Sequence, residues 1–195
     1  MIALCKKLGC ADDKKAYLQF PAFVIEYICG GGIAMWQFRY TEKIYKSRRT
    51  LCFLRAVDFV SVIFCVAALL WTVAVQVARG SYLDAVYMLT YLSVTFIAVT
   101  LARKLINAKR PYELYDFGAK IRSKSGSSFP SRHVASAAAI ATALMVEFIP
   151  LGIIAAVAAV LLSAVRVLLG LHFVRDVFAG AVIGVIGSLI GLAVF

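Results

Sequence analysis

Charged side chains are scarce in this chain, and histidine scarcer still. Of 195 residues only 16% are charged and 63% are hydrophobic, a balance that excludes an ordinary soluble domain and makes the bilayer the expected solvent. The five cysteines, Cys5, Cys10, Cys29, Cys52 and Cys65, are odd in number and lack the paired spacing of a metal site. They read as free thiols or small apolar residues. No early run of basic, apolar and small residues resembles a cleavage site, so a removable secretory signal is not expected. Nor is there a cluster of carboxylates and histidines that would hold a metal ion. Only two histidines exist, His133 and His172, so any imidazole chemistry rests on them.

What the chain has in abundance is apolar runs. A spanning helix needs roughly 20 mostly apolar residues, and Phe59 to Ala78 and Tyr82 to Ala102 meet that length, joined by Arg79, Gly80 and Ser81. The pattern resumes over Val134 to Ile149, Ile153 to Leu169 and Val177 to Phe195, with Pro150 to Gly152 and Gly170 as breakers. Tyr17 to Phe38 is a poorer candidate, because it carries Pro21, Glu26 and three successive glycines; it spans or lies at the interface. The expected fold is therefore all-α, a polytopic membrane helix bundle of six transmembrane helices, five of them plain. Residues 1–195 read as one membrane-embedded domain, with an N-terminal segment to residue 54 and a core from 55 to 195. In the last span Gly180, Gly184, Gly187 and Gly191 make two small-residue pairs at four-residue spacing, which suits close helix packing in lipid.

The formal charge of +11 sits in connecting segments and at span ends. It points to anionic headgroups or a phosphorylated substrate, not to nucleic acid. Counting crossings then sets a geometry. If the Phe59–Ala102 hairpin returns to its starting face, the loop 103–129 lies on that face. The pair Val134–Leu169 crosses away and back, so residues 170–175 emerge beside that loop.

Three segments meet there. Arg103, Lys104, Lys109 and Arg110 put four basic groups into eight residues before Pro111. Taken alone, such a loop ordinarily orients a membrane protein or touches headgroups. The next helix opens with Phe129-Pro130-Ser131-Arg132-His133, where Pro130 is pre-set for a helix start and Ser131 can cap or donate. First-turn amides at the positive end of a helix favour a bound phosphate. In the third segment Arg166 is a costly charge within an apolar run, so it is expected to face a polar cavity. Gly170 breaks the helix so that Arg166 and His172 can converge. His172 and Asp176 stand four apart, a spacing that on a helix lets the carboxylate orient the imidazole.

These segments resemble the signatures of the type 2 phosphatidic acid phosphatase family, the vanadium haloperoxidase-like acid phosphatases. The signatures are Lys-x6-Arg-Pro, Pro-Ser-Gly-His and Ser-Arg-x5-His-x3-Asp. Here they correspond to Arg103 to Arg110-Pro111, Pro130-Ser131-Arg132-His133, and Val165-Arg166 to His172 and Asp176. The resemblance covers roughly residues 55 to 195. It departs at Arg103, where lysine is usual and Lys104 is adjacent; at Arg132, in place of glycine; and at Val165, in place of serine. It implies a metal-independent phosphatase with no cofactor. His172 is the implied nucleophile, oriented by Asp176 and forming a phosphohistidine, with His133 as acid and then base. Arg103 or Lys104, Arg110, Ser131, Arg166 and the amide of Arg132 would bind the phosphoryl oxygens.

A site at the ends of apolar helices suits a lipid phosphate, whether phosphatidylglycerophosphate, phosphatidic acid or undecaprenyl pyrophosphate. Two other readings compete: a non-catalytic transporter or anionic-lipid-binding protein, and a lipid phosphotransferase. For sidedness the two signals disagree. Arg39, Lys43, Lys46, Arg48, Arg49 and Arg55 share the catalytic face, which the positive-inside rule would make cytoplasmic. The resemblance implies a bacterial plasma membrane with the site on the extracytoplasmic side, and that is the expectation adopted.

Overall fold

The structure is a computed structural model that describes residues 36, 37, 39–114 and 127–194. Most of the expected span Tyr17–Phe38 lies outside the described residues. Gln37–Phe195 forms one compact unit. Residues 39–46 are helical and end at Ser47, whose extended backbone caps the helix that follows, its side chain accepting from the Thr50 amide.

Six helices follow in order: α1 Arg48–Ala78, α2 Tyr82–Ile106, the single turn α3 Pro111–Leu114, α4 Arg132–Glu147, α5 Ile149–Leu168 and α6 Val174–Val194. No strand occurs among the described residues. The chain is an integral membrane helical bundle: α1, α2, α5 and α6 are long and apolar enough to cross a membrane. Their outward faces carry exposed Phe59, Ile63, Leu70, Ile97, Val160, Phe178 and Ile190, an inversion of soluble-protein burial that only a lipid surroundings accommodates.

Helix α1 has 31 residues and is thus about 46 Å long against a hydrocarbon core of about 30 Å. Its first eleven residues carry all of its charges, Arg48, Arg49, Arg55 and Asp58, so this end of the helix is the part that suits the headgroup layer. Helix α4 has only 16 residues, about 24 Å, and among the described residues it is the one expected span that falls short of a crossing length. Its environment explains the shortness. It packs against α1, α2, α5 and α6 and buries Ala135, Ala137, Ala138, Ala139, Ala141 and Ala143. Neighbours on every side leave little lipid to match, and alanines let them come close.

The breaks are built from local rules. Gly80, at φ +80, and Gly170, at φ +66, each end a helix in the left-handed region. Both ends have the paired amide-to-carbonyl bonds of a Schellman turn: Gly80 to Val77 with Ser81 to Gln76, and Gly170 to Val167 with Leu171 to Arg166. The α4–α5 break falls at Phe148, not within 150–152 as the breaker residues suggest. Pro150 sits instead in the first turn of α5, where a missing amide hydrogen costs nothing.

The glycines of α6 serve two neighbours. A Cβ at Gly180 would lie 2.5 Å from the Ser131 carbonyl oxygen, and one at Gly184 would overlap that of Ala135. Ser188 continues the row by donating to the Ala139 carbonyl at 3.1 Å. Gly187 and Gly191 face Thr95 and Tyr91 of α2 instead. Gly184→Ala is accordingly expected to push α6 off α4 and destabilise the bundle by about 1–3 kcal/mol, since the obstacle is backbone. Unfolding in detergent against wild type measures this, and an unchanged midpoint would contradict the close approach.

Candidate active site

Five elements bring polar residues to one end of the bundle: the second and third turns of α1, the end of α2 with its following loop, the start of α4, the end of α5 and the start of α6. The convergence of these segments expected from the sequence is what the fold provides. Asp58 of α1, His133 of α4 and Arg166 of α5 are directly bonded, as are Ser128, Asp176 and the start of α4.

Arg166 is the hub. Its Nη1 lies 3.0 Å from His133 Nδ1; a guanidinium only donates, so Nδ1 accepts and His133 is neutral with its hydrogen on Nε2. On its other edge Nη2 donates to Asp58 Oδ2 at 3.1 Å, and Nε lies 3.0 Å from Asp58 Oδ1. The charges of Arg103 and Arg132 also act on His133, and that of Arg110 acts on Arg103. The cationic residues from three separate segments thus share one site.

The turn after α5 places His172. The Arg166 carbonyl accepts from Leu171 at 3.0 Å and from His172 at 3.4 Å, so Gly170 folds the chain back and brings His172 to the level of Arg166. The carbonyls of Leu168 and Leu169 would be orphaned, whereas that of Val167 already accepts the Gly170 amide. Gln37, Thr41 and Tyr45, four residues apart, supply donors: Gln37 to Val167 at 3.0 Å and to His172 at 2.8 Å, Thr41 to Leu168 at 3.0 Å, Tyr45 to Leu169 at 3.2 Å.

His172 and Asp176 do not share a helix, which corrects the helical-spacing argument. Helix α6 starts only at Val174, and the Asp176 side chain turns back to accept the Phe173 amide at 3.0 Å, as a third-position residue does in a capping box. That capping role, not the period of a helix, turns the carboxylate toward the imidazole. His172 Nδ1 then lies 3.7 Å from Asp176 Oδ2, too far for a hydrogen bond. Ser128 stands between them, donating from Oγ to Asp176 Oδ2 and lying 3.4 Å from His172 Nδ1. His172 and Asp176 are almost wholly buried. Burial holds the His172 pKa below the ordinary imidazole value, with Asp176 opposing the shift.

The other expected residues separate. Arg103 is buried and donates to the Ser127 carbonyl, whereas Lys104, its neighbour on α2, is exposed. Arg110 lies in the loop with its guanidinium 5.7 Å from the Tyr112 ring, and its charge acts on His172. Ser131 makes no side-chain cap. Its amide donates to the Asp176 carbonyl at 2.8 Å, and its fully buried Oγ has no hydrogen-bond partner among the described residues. Arg132 turns aside, over the Phe96 ring at 5.3 Å.

Besides Gln37, three residues of the site were not expected. Asp58 was signalled only as a lone carboxylate at the mouth of an apolar run. Ser128 was one serine among several, and Asn107 gave no signal. Asn107 adopts a left-handed backbone, at φ 44, and its side chain accepts from the Ser127 amide at 3.1 Å. With the bond from the Ser128 amide to the Ala108 carbonyl at 2.8 Å, this ties the two ends of the 107–128 loop together.

Beside the site, a cavity of about 220 Å³ runs between α1, α2, α4 and α5, lined by His133, Arg132, Phe96, Ser136, Cys65 and Leu162 among others. A second, of about 410 Å³ and mostly apolar, continues along α4 toward Leu69, Leu89 and Ala139, sharing Phe96, Ser136 and Ile140 with the first.

A family model described as the PAP2 superfamily matches residues 84–195. Among solved structures, a transmembrane PAP2-type phosphatidylglycerolphosphate phosphatase from Bacillus subtilis is similar at TM-score 0.66 and 22% identity. The match covers 92% of this chain and 94% of that one. Aquifex aeolicus LpxE is similar at TM-score 0.53 and 23% identity, over 73% of this chain and 94% of that one. At these identities the likeness speaks for the fold. A search of curated protein sequences finds no match.

Proposed function

The chain belongs to the PAP2 superfamily, and on that premise we propose that it is a membrane lipid phosphatase working through a phosphohistidine. The observation that carries this reading is the meeting of the two histidines at one end of a bundle of apolar helices. His172 is buried beside Asp176, and His133 is joined to Arg166.

In the proposed reaction the neutral His172, its Nδ1 side turned to Ser128 and Asp176, attacks phosphorus through Nε2. A P–N bond forms as the P–O bond to the lipid breaks. His133, protonated once a phosphate dianion engages Arg166, hands its proton to the leaving oxygen and then takes one from the water that cleaves the P–N bond. Arg103, Arg110, Arg166, the Ser131 hydroxyl and the amides opening α4 are the donors for the phosphoryl oxygens. Arg103 fits this role better than the exposed Lys104. Arg132 fits the mouth of the cavity, where its stacking on Phe96 leaves it beside a lipid's glycerol or first methylenes.

The apolar cavity along α4 supports a lipid substrate, since a chain lying there would leave its headgroup phosphate at His133. The substrate class is a lipid phosphomonoester or pyrophosphate, which includes phosphatidylglycerophosphate, phosphatidic acid and undecaprenyl pyrophosphate. The proposed setting is a bacterial plasma membrane with the site on the extracytoplasmic side. Labelling of a cysteine placed at Ser125 by an impermeant reagent in intact cells tests the side.

Purified protein given these three lipids in detergent is expected to release phosphate from at least one. Water should suffice as acceptor, the rate should survive chelators, and vanadate should inhibit. His133→Ala is expected to lower the rate by about a hundredfold or more, the loss typical of a general acid. Release from none of the lipids would remove the proposal, and transfer only to an added alcohol would make the protein a phosphotransferase.

A further inference from the structure

Asp58 lies outside the residues that the family model matches and outside all three signature segments, yet it makes the best-formed ion pair of the site. Its two carboxylate oxygens face Nε and Nη2 of Arg166, at 3.0 and 3.1 Å. That pair of nitrogens is a parallel fork, the edge with which a guanidinium grips a carboxylate or a phosphate in bidentate fashion. The remaining nitrogen, Nη1, points to His133. Nη2 is hydrogen-bonded to Asp58 while Nε faces Oδ1 at ion-pair distance without a hydrogen bond, so protein occupies the gripping edge of Arg166 and only Nη1 is turned to the histidine and the phosphate beside it. The placement is deliberate in energetic terms. A carboxylate at the start of the apolar part of α1 is costly in lipid, and both partners are mostly buried, at 10% and 21% side-chain exposure.

Resting on the phosphatase reading, we infer that Asp58 is a positioning residue that holds back the bidentate edge of Arg166. A phosphoryl group is then held firmly enough to react but is released afterwards. Asp58 also fixes the direction in which Nη1 meets His133 and the phosphoryl oxygen. A phosphate in a site of several guanidinium groups would otherwise bind as tightly as its charge allows, and the product phosphate would leave slowly.

Freeing the fork has a distinctive signature. Asp58→Asn keeps the shape and one acceptor but removes the charge. It is expected to bind vanadate and inorganic phosphate about tenfold more tightly, the effect of one added charge-assisted hydrogen bond, while kcat and KM fall together. A purely structural role for Asp58 predicts the opposite pattern, with kcat lowered, KM unchanged or raised, and anion inhibition weakened.

The measurements are vanadate inhibition of lipid phosphate release, and the rise in unfolding temperature that orthophosphate gives the purified protein in detergent. They are made on wild type, Asp58→Asn and Asp58→Ser, the second variant covering a failure of the first to fold. Tighter anion binding in a folded variant supports the inference. Wild-type or weaker binding overturns it. If orthophosphate and vanadate leave wild type itself unaffected and no phosphate is released, the phosphatase reading fails instead.

Discussion

His172→Ala is expected to abolish phosphate release, by a factor on the order of a thousand or more, because it removes the attacking atom and not merely a donor. The fold should survive, since the turn is held by backbone bonds to Arg166 and by Gln37, not by the imidazole. The same residue sets the acid limb of the pH profile. Its burial favours the uncharged imidazole, and Asp176 partly offsets this. A group whose pKa is lowered keeps its reactive neutral form to lower pH. The rate should therefore hold as pH falls through about 6.5, the ordinary imidazole value, and decline only below it.

Asp176→Asn removes the carboxylate that favours the charged imidazole, so the limb should move further toward acid while kcat drops through loss of orientation. Rates of lipid phosphate release across pH 4–8 (roughly the imidazole range) check this. An acid limb above the ordinary imidazole value would contradict the assignment, because it would mean that the pKa of the essential neutral group is raised by its surroundings, where burial lowers that of His172.

Arg166→Ala is expected to cost the most after His172, and in two separable ways. The phosphate loses a donor in the transition state, and His133 loses the partner at Nδ1 that sets its tautomer, so the rate should fall about a hundredfold or more. Asp58 is also left mostly buried without its counter-ion, and breaking such a pair from one side destabilises by about 3 kcal/mol or more. Arg166→Lys should recover part of the stability but little of the rate, since an ammonium cannot serve Asp58 and His133 in one plane. Adding Asp58→Asn to Arg166→Ala should restore stability without restoring activity. Thermal unfolding in detergent beside the release assay reads both effects. Loss of stability and rate in fixed proportion across these variants would show that Arg166 acts only through the fold.

Much of this was legible in the residues. Period and length placed α1, α2, α5 and α6 because a bilayer admits few alternatives: a polar backbone in lipid must bond within its own segment. The small-residue row of α6 announced close packing, though not that its two halves face different helices. His133, Arg166, His172 and Asp176 were marked by rarity, charge in an apolar run, and spacing. Asp58, Ser128, Asn107 and Gln37 were not. Each acts across a long separation in sequence, on a carbonyl, carboxylate or guanidinium whose position depends on how the helices pack.

The sequence by itself determined that this is a membrane bundle with two histidines and several arginines near the ends of its apolar runs, since hydrophobic length is a property of the chain. Only the tertiary structure decided how those groups are joined. It turned Asp176 toward His172 by capping α6, placed Ser128 between them, and brought a carboxylate from α1 onto the fork of Arg166. The reason is the range of the forces. Burial of an apolar span is summed along the chain, whereas a hydrogen bond forms within about 3 Å, a distance set by the packing of neighbouring helices.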